Sequence, residues 1–253
     1  MSNYKAIIQY DGTNYKGWQI QNSTNDTIQG KLQKALKAIT KTDIEVIGSG
    51  RTDGGVHAKG QVANFHINSK LPFSNDELLL QINKKLPEDI AVISLDLVDK
   101  RFHARYSEKG KTYRYRIHVS PVANVFEKRF VYTYLDKEIN IPLMKKAATF
   151  FTGKHDFKAF CGNKHMKKST VRTITNIDIN EIYDENGLRE IAIDYTGNGF
   201  LQQMIRILTG TLIEVATGRI SLDALPQILE SGIRDNAGYT APPQGLCLME
   251  VYY

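Results

Sequence analysis

Read for hydrophobic periodicity, residues 4–98 run strand, helix, strand, strand, helix, strand, and residues 111–253 repeat that βαββαβ order. The first pass predicts strands over 4–10, 43–49, 60–67 and 89–98, with helices over 27–40 and 74–86. Ile28, Leu32, Leu36 and Ile39 share one face of the first helix, and Asp26 followed by Gln29 has the spacing of a capping box. The second helix opens on Ser74 and Glu77, turns Leu78, Leu79, Ile82 and Leu86 inward, and stops at Pro87. In the second pass the strands fall at 111–119, 170–181, 188–196 and 245–253, and the helices at 141–152 and 199–217, with a short extra helix near 221–231. Leu201, Met204, Ile205, Leu208, Leu212 and Val215 form the apolar stripe of the long helix, and Gly218 ends it.

Two such units in series imply an α+β chain of two ferredoxin-like, RRM-like halves, 1–105 and 106–253, each an antiparallel sheet with helices on one face. Joined through a mainly antiparallel sheet, the halves would leave a central cleft suited to a large ligand such as RNA. The 33 Lys and Arg against 27 Asp and Glu, a net charge of +6, fit a polyanionic partner. Charge alone does not separate nucleic-acid binders from other basic proteins. No run reaches the roughly 18 apolar residues of a membrane span, and the N-terminus lacks a secretory pattern, so the expectation is a cytoplasmic protein away from membranes. Cys161 and Cys247 lack zinc-ligand spacing and are expected to be buried free thiols.

Two long loops interrupt the pattern, at 11–26 and 153–169. The first carries Tyr15 and the only tryptophan, Trp18. The second interleaves Lys154, Lys158, Lys164, Lys167 and Lys168 with Phe157 and Phe160, a mixture that suits phosphates and unpaired bases, although a solvated surface loop has the same composition.

The segment GSGRTDGGVHAKGQ, 48–61, holds Arg51 and Asp53 among five glycines. Glycines permit tight turns and close backbone approach, and a nearby arginine favours an ionised aspartate that can act as a nucleophile. The plainer reading is a β-turn in which Asp53 bonds its own backbone. Neither GxGxxG nor the P-loop pattern is present, and His57 has no second ligand at metal spacing, so it reads as structural or RNA-facing.

GRTDGGVHA at 50–58 resembles the GRTDxGVHA motif of the TruA family of tRNA pseudouridine synthases. YDGTNYKGWQIQ at 10–21, RFHARYS at 101–107, KTYRYRI at 111–117, HDFKAFC at 155–161, GNGFLQQMIRILTGTL at 197–212 and APPQGLCLMEVYY at 241–253 follow in the family's order, so the similarity spans essentially the whole chain. The resemblance implies a cofactor-independent and metal-free isomerase that converts uridine to pseudouridine at positions 38, 39 and 40 of the tRNA anticodon stem-loop, working as a homodimer. It implies that Asp53 is the nucleophile, that Arg51 enters the space left by a flipped base or binds its phosphate, and that Tyr113 stacks on the uracil. It also implies that Arg206 pairs with the nucleophilic carboxylate and that Leu246 walls the pocket. His57, Gln202, Lys164, Lys167 and Lys168 are candidate substrate contacts. The competing expectation is a non-catalytic RNA-binding protein with two RRM-like halves.

Overall fold

A computed structural model describes residues 2–68, 71–163 and 166–253. In chain order the strands and α-helices are β1 (Ser2–Tyr10), α1 (Ile28–Thr40), β2 (Val46–Gly48), β3 (His57–Ile67), α2 (Asn75–Asn83), β4 (Ile90–Val98), β5 (Gly110–His118), β6 (Tyr132–Thr133), α3 (Ile141–Thr149), β7 (Gly153–Asp156), β8 (Val171–Tyr183), β9 (Arg189–Gly197), α4 (Met204–Ala216), α5 (Leu225–Ser231) and β10 (Leu246–Tyr252). They form two compact units, Met1–Lys109 with Cys247–Tyr253, and Gly110–Leu246. The class is α+β with mainly antiparallel strands, as the sequence implies.

In the first unit the strand order is β4-β1-β3-β10, with β2 on β3. β1 lies antiparallel to both β3 and β4, and β10 runs parallel to β3 with Cys247 opposite His57. The sequence order assigns this last strand to the second half, but Gly60 lets it lie against β3. A Cβ at that position would sit 2.3 Å from the Met249 carbonyl oxygen. Alternation along the strands sends Ala6, Ile8, Ala63, Phe65 and Val92 toward Leu32 and Leu36 of α1 and Ile82 of α2, where they enclose the apolar core.

The caps decide where these helices begin. The Ser74 side chain accepts from the Glu77 amide while the Glu77 carboxylate accepts from the Ser74 amide, so α2 has the expected capping box. Those bonds hold the exposed Glu77 carboxyl below its ordinary pKa. Ser74→Ala should therefore lower stability by about 1 kcal/mol in urea unfolding, with no change in m-value. At α1 the cap is Thr27, whose hydroxyl accepts from the Gly30 amide, and not Asp26, which pairs with Lys31 at 2.8 Å. Gln29 is withdrawn from the capping role because its amide ties Ile20 and Gln19 to the Val46 carbonyl.

The second unit has the order β5-β9-β8-β7, with β6 beside β5. Ile191, Ile193 and Tyr195 of β9 and Met144, Leu208 and Leu212 of the helices are fully buried, and α3 packs on α4. The opposite side of the β5–β9 pair is charged: half-buried Arg114 meets Asp194 through two 2.7 Å bonds, and Arg116 bridges Glu127 and the buried Glu190. Part of the expected loop at 153–169 is ordered as β7, paired with β8, and a 3-10 turn at Lys158–Phe160. The long helix starts at Met204 and not near 199, because Gly199 and Gln203 both have positive φ, +132° and 59°. Among the described residues no helix is long and apolar enough to cross a membrane. Both cysteines are free, Cys161 buried and Cys247 only half-buried.

Candidate active site

The glycine-rich segment between β2 and β3 is held by partners distant in sequence. Ser49 donates its amide to the Val62 carbonyl at 2.8 Å, and its hydroxyl bonds Gln61, whose amide reaches the Gly50 carbonyl. Thr52 is gripped twice, by the Tyr10 hydroxyl at 2.9 Å and by the Trp18 amide on its carbonyl at 3.1 Å. The next residue, Asp53, is half-buried, and its carbonyl accepts from the Val56 amide to close a turn with Gly55 at φ +79°. The turn expected of an Asp-Gly-Gly sequence is therefore present, and it fixes the backbone that carries the carboxylate.

The first long loop supplies the other side of this clamp. Gly17, at φ +97°, lies so close to the segment that a Cβ would come within 2.7 Å of the Thr52 carbonyl oxygen. Gly12 is closer still, with a virtual Cβ 2.0 Å from the Val56 oxygen. Trp18 is 1% exposed and its indole covers Gly48, where any side chain would collide. His57 is buried, accepts from the Gly12 amide at 3.0 Å and lies 3.2 Å from an Asp11 carboxylate oxygen. In this chain it fastens the two loops together. Tyr15 bonds Asp89, and its burial raises the phenol pKa well above the ordinary value.

Arg51 is exposed and forms no ion pair with Asp53, so adjacency in sequence does not make it the carboxylate's charge partner. An exposed fork of five donors beside a fixed carboxylate is free to meet a phosphate.

The remaining candidates belong to the second unit. Tyr113 on β5 is 7% exposed and meets Phe200 edge-on at 5.5 Å, while Tyr115 on the same face donates to the Pro242 carbonyl at 2.7 Å. Arg206 occupies the first turn of α4; its Nε donates to the Ala241 carbonyl at 2.7 Å, and its own carbonyl accepts from the Ala241 amide. This reciprocal pair fixes the direction of the guanidinium. Gln202 is exposed and precedes the helix, so it shares no helical face with Arg206. Leu246, at the start of β10, is 6% exposed. Lys167 and Lys168 are exposed, and Lys164 lies outside the described residues. Phe157 and Phe160 are fully buried and meet edge-on, with Phe160 also edge-on to Phe151, which makes them core and removes them as base-stacking candidates.

Sequence reasoning singled out the glycine loop but missed Tyr10, Gly17, Thr52 and Gln61 as its supports. The available signal was the run YDGTNYKGW, whose glycines and lone tryptophan precede the loop by some thirty residues. Among the described residues no group of three His, Cys, Asp or Glu side chains could hold a metal ion.

A family model described as tRNA pseudouridine synthase matches residues 6–107 and 147–253. A protein of Acetivibrio thermocellus named tRNA pseudouridine synthase A is 44% identical over 253 residues, covering 100% of both chains. A Clostridium botulinum (strain Alaska E43) protein of the same name is 46% identical, and one of Clostridium perfringens named tRNA pseudouridine synthase A 2 is 44% identical, again over 100% of both chains.

Proposed function

Because the chain belongs to the tRNA pseudouridine synthase family, we propose that it isomerises uridine to pseudouridine in tRNA with Asp53 as its nucleophile. The reaction breaks the N1–C1′ bond, turns the released uracil and joins C5 to C1′. The C5 proton is then lost and N1 gains one, so product and substrate are isomers and no net oxidation occurs. The protein must flip the base from its stack, present a nucleophile to C6 or to C1′, and keep the fragment bound.

The single observation that carries the reading is the clamp around Thr52 and Asp53, because a carboxylate on an over-determined backbone can meet a ring that arrives in one orientation. In the roles taken from the family, Arg206 aims the nucleophilic carboxylate, Tyr113 stacks on the uracil and assists proton removal, and Leu246 walls the pocket. Arg51, exposed beside the nucleophile, takes the phosphate or the vacated stack. The target uridines are those at 38, 39 and 40 of the anticodon stem-loop, read through tRNA shape. Recognition by a homodimer, a cytoplasmic location and division of labour between an N-terminal half carrying Asp53 and a C-terminal half carrying Tyr113 and Arg206 complete the reading.

The test is incubation of the purified protein with unmodified tRNA in excess chelator, followed by mapping of pseudouridine. Product at the three adjacent positions is expected; an intact fold with no product from several tRNAs would overturn the reading. Lys167 and Lys168 are exposed in the lysine-rich segment. Changing both to alanine should weaken tRNA binding and reduce the slope of log K against log salt by roughly 1–2. An unchanged slope would mean that this segment faces away from RNA.

A further inference from the structure

The sequence RFHARYS, 101–107, has no part in the chemistry above, yet it is built with unusual care. Asn3, 2% exposed, donates from one amide to the carbonyls of Asp99 and Phe102, both at 2.9 Å. Asn64, 1% exposed, accepts from the Ala104 amide at 2.9 Å and donates to Asn3 at 3.1 Å. Tyr253 donates its hydroxyl to the Ala104 carbonyl at 2.7 Å. Burying the two asparagine side chains is costly unless each is bonded, and apart from the bond between them their bonds, like that of the half-buried Tyr253, go to the backbone of a single surface turn.

That turn holds an aromatic ring out in solvent. Tyr106 is 79% exposed, and its inner face rests on His103, with ring centroids 4.2 Å apart and planes inclined by 31°. His103 is itself locked, because its Nδ1 accepts from the amides of Arg105 and Tyr106. Lys100, Arg101, Arg105 and Lys109, close to it in sequence, are all exposed; of the acidic residues in this segment, Asp99 accepts from the Arg101 amide and Glu108 is half-buried. A fixed exposed ring among cations is complementary to one kind of group, a nucleotide, whose base stacks on the ring while its phosphates meet the guanidinium groups. An apolar protein partner would have to desolvate those charges.

Resting on the reading of the preceding section, we propose that the Tyr106–His103 stack with Arg101 and Arg105 is an RNA subsite that seats a tRNA nucleotide other than the reacting uridine.

The test compares tRNA affinity across salt with the single-turnover rate at saturating tRNA. Tyr106→Ala should weaken tRNA binding about tenfold, and Tyr106→Phe, which keeps the ring, should bind within about twofold of wild type. Both should turn over at saturation within about threefold of wild type, because the ring binds a different nucleotide and touches no reacting atom. Arg101→Ala with Arg105→Ala should reduce the salt slope by roughly 1–2, whereas Tyr106→Ala should leave it unchanged. Wild-type affinity in Tyr106→Ala, or equal weakening in Tyr106→Phe, would overturn the subsite. Binding that depends on Tyr106 in a protein that makes no pseudouridine would uphold the subsite and sink the catalytic reading instead.

Discussion

Asp53→Asn is expected to abolish pseudouridine formation, a loss on the order of 10⁴-fold or more in single-turnover rate, while tRNA affinity stays within about threefold of wild type. Asparagine matches aspartate in shape, and the turn at this position is closed by the backbone, Val56 amide to Asp53 carbonyl, which the substitution leaves alone. The substitution removes the nucleophile together with the negative charge assigned to Arg206 as its partner. One carboxylate adds nothing attractive to the grip on a polyanion, so binding has no reason to fall. Two RRM-like halves that merely bind RNA would give the opposite result, with no property altered by the substitution. Mapping pseudouridine alongside a filter-binding isotherm distinguishes the two outcomes in one experiment.

Gly17→Ala should be the most damaging change that touches no reacting group. Its φ of +97° already strains any side-chained residue, and the added Cβ would lie 2.7 Å from the Thr52 oxygen and 3.2 Å from the carbonyl carbon of Asp53. Neither obstacle is a flexible side-chain end; both are backbone, and the Tyr10 hydroxyl and the Trp18 amide hold Thr52 in place. We expect a loss of about 2–4 kcal/mol in unfolding free energy, from left-handed strain plus the displaced segment. Turnover should fall about 100-fold, since moving Asp53 by even an ångström spoils its approach to the base. Gly187→Ala is the control, with φ +73° and nothing within 4 Å of its Cβ. It should cost only about 1–2 kcal/mol of strain and leave turnover unchanged. Equal stability and equal activity in the two variants would remove the clamp from the argument.

Local chemistry was legible in the sequence wherever it was decided by residues close together. The Ser74 and Glu77 spacing predicts the cap of α2 because both partners lie within one turn. The same rule failed at α1, where Asp26 and Thr27 compete for the cap and Gln29 is drawn away by the Val46 carbonyl. At α4 the apolar stripe continues upstream through Leu201, so periodicity extends the helix beyond Gln203, where the backbone turns left-handed. A Cβ on Gly162 would lie 2.3 Å from the Gln203 side-chain oxygen, a close approach that no local pattern records. The site divides along the same line. Glycine content marks the loop around Asp53, but its supports Trp18, Gly17 and Gln61 are visible only once β1, β3 and the first loop meet. Lysines among phenylalanines at 154–168 suggested a stacking surface, and the fold turns Phe157 and Phe160 inward instead.

The pairing of β10 with β3 has a bearing on how the protein is made. A strand translated after residue 245 completes the sheet that begins at residue 2, and its Tyr253 braces a turn reached before residue 110. Strands β1 to β4 are synthesised before β10, so one edge of β3 stays open until residues 110–245 have followed. Folding in the order of translation is thus denied to the unit that carries Asp53, and a nascent chain stalled shortly before that strand should remain a client for chaperones.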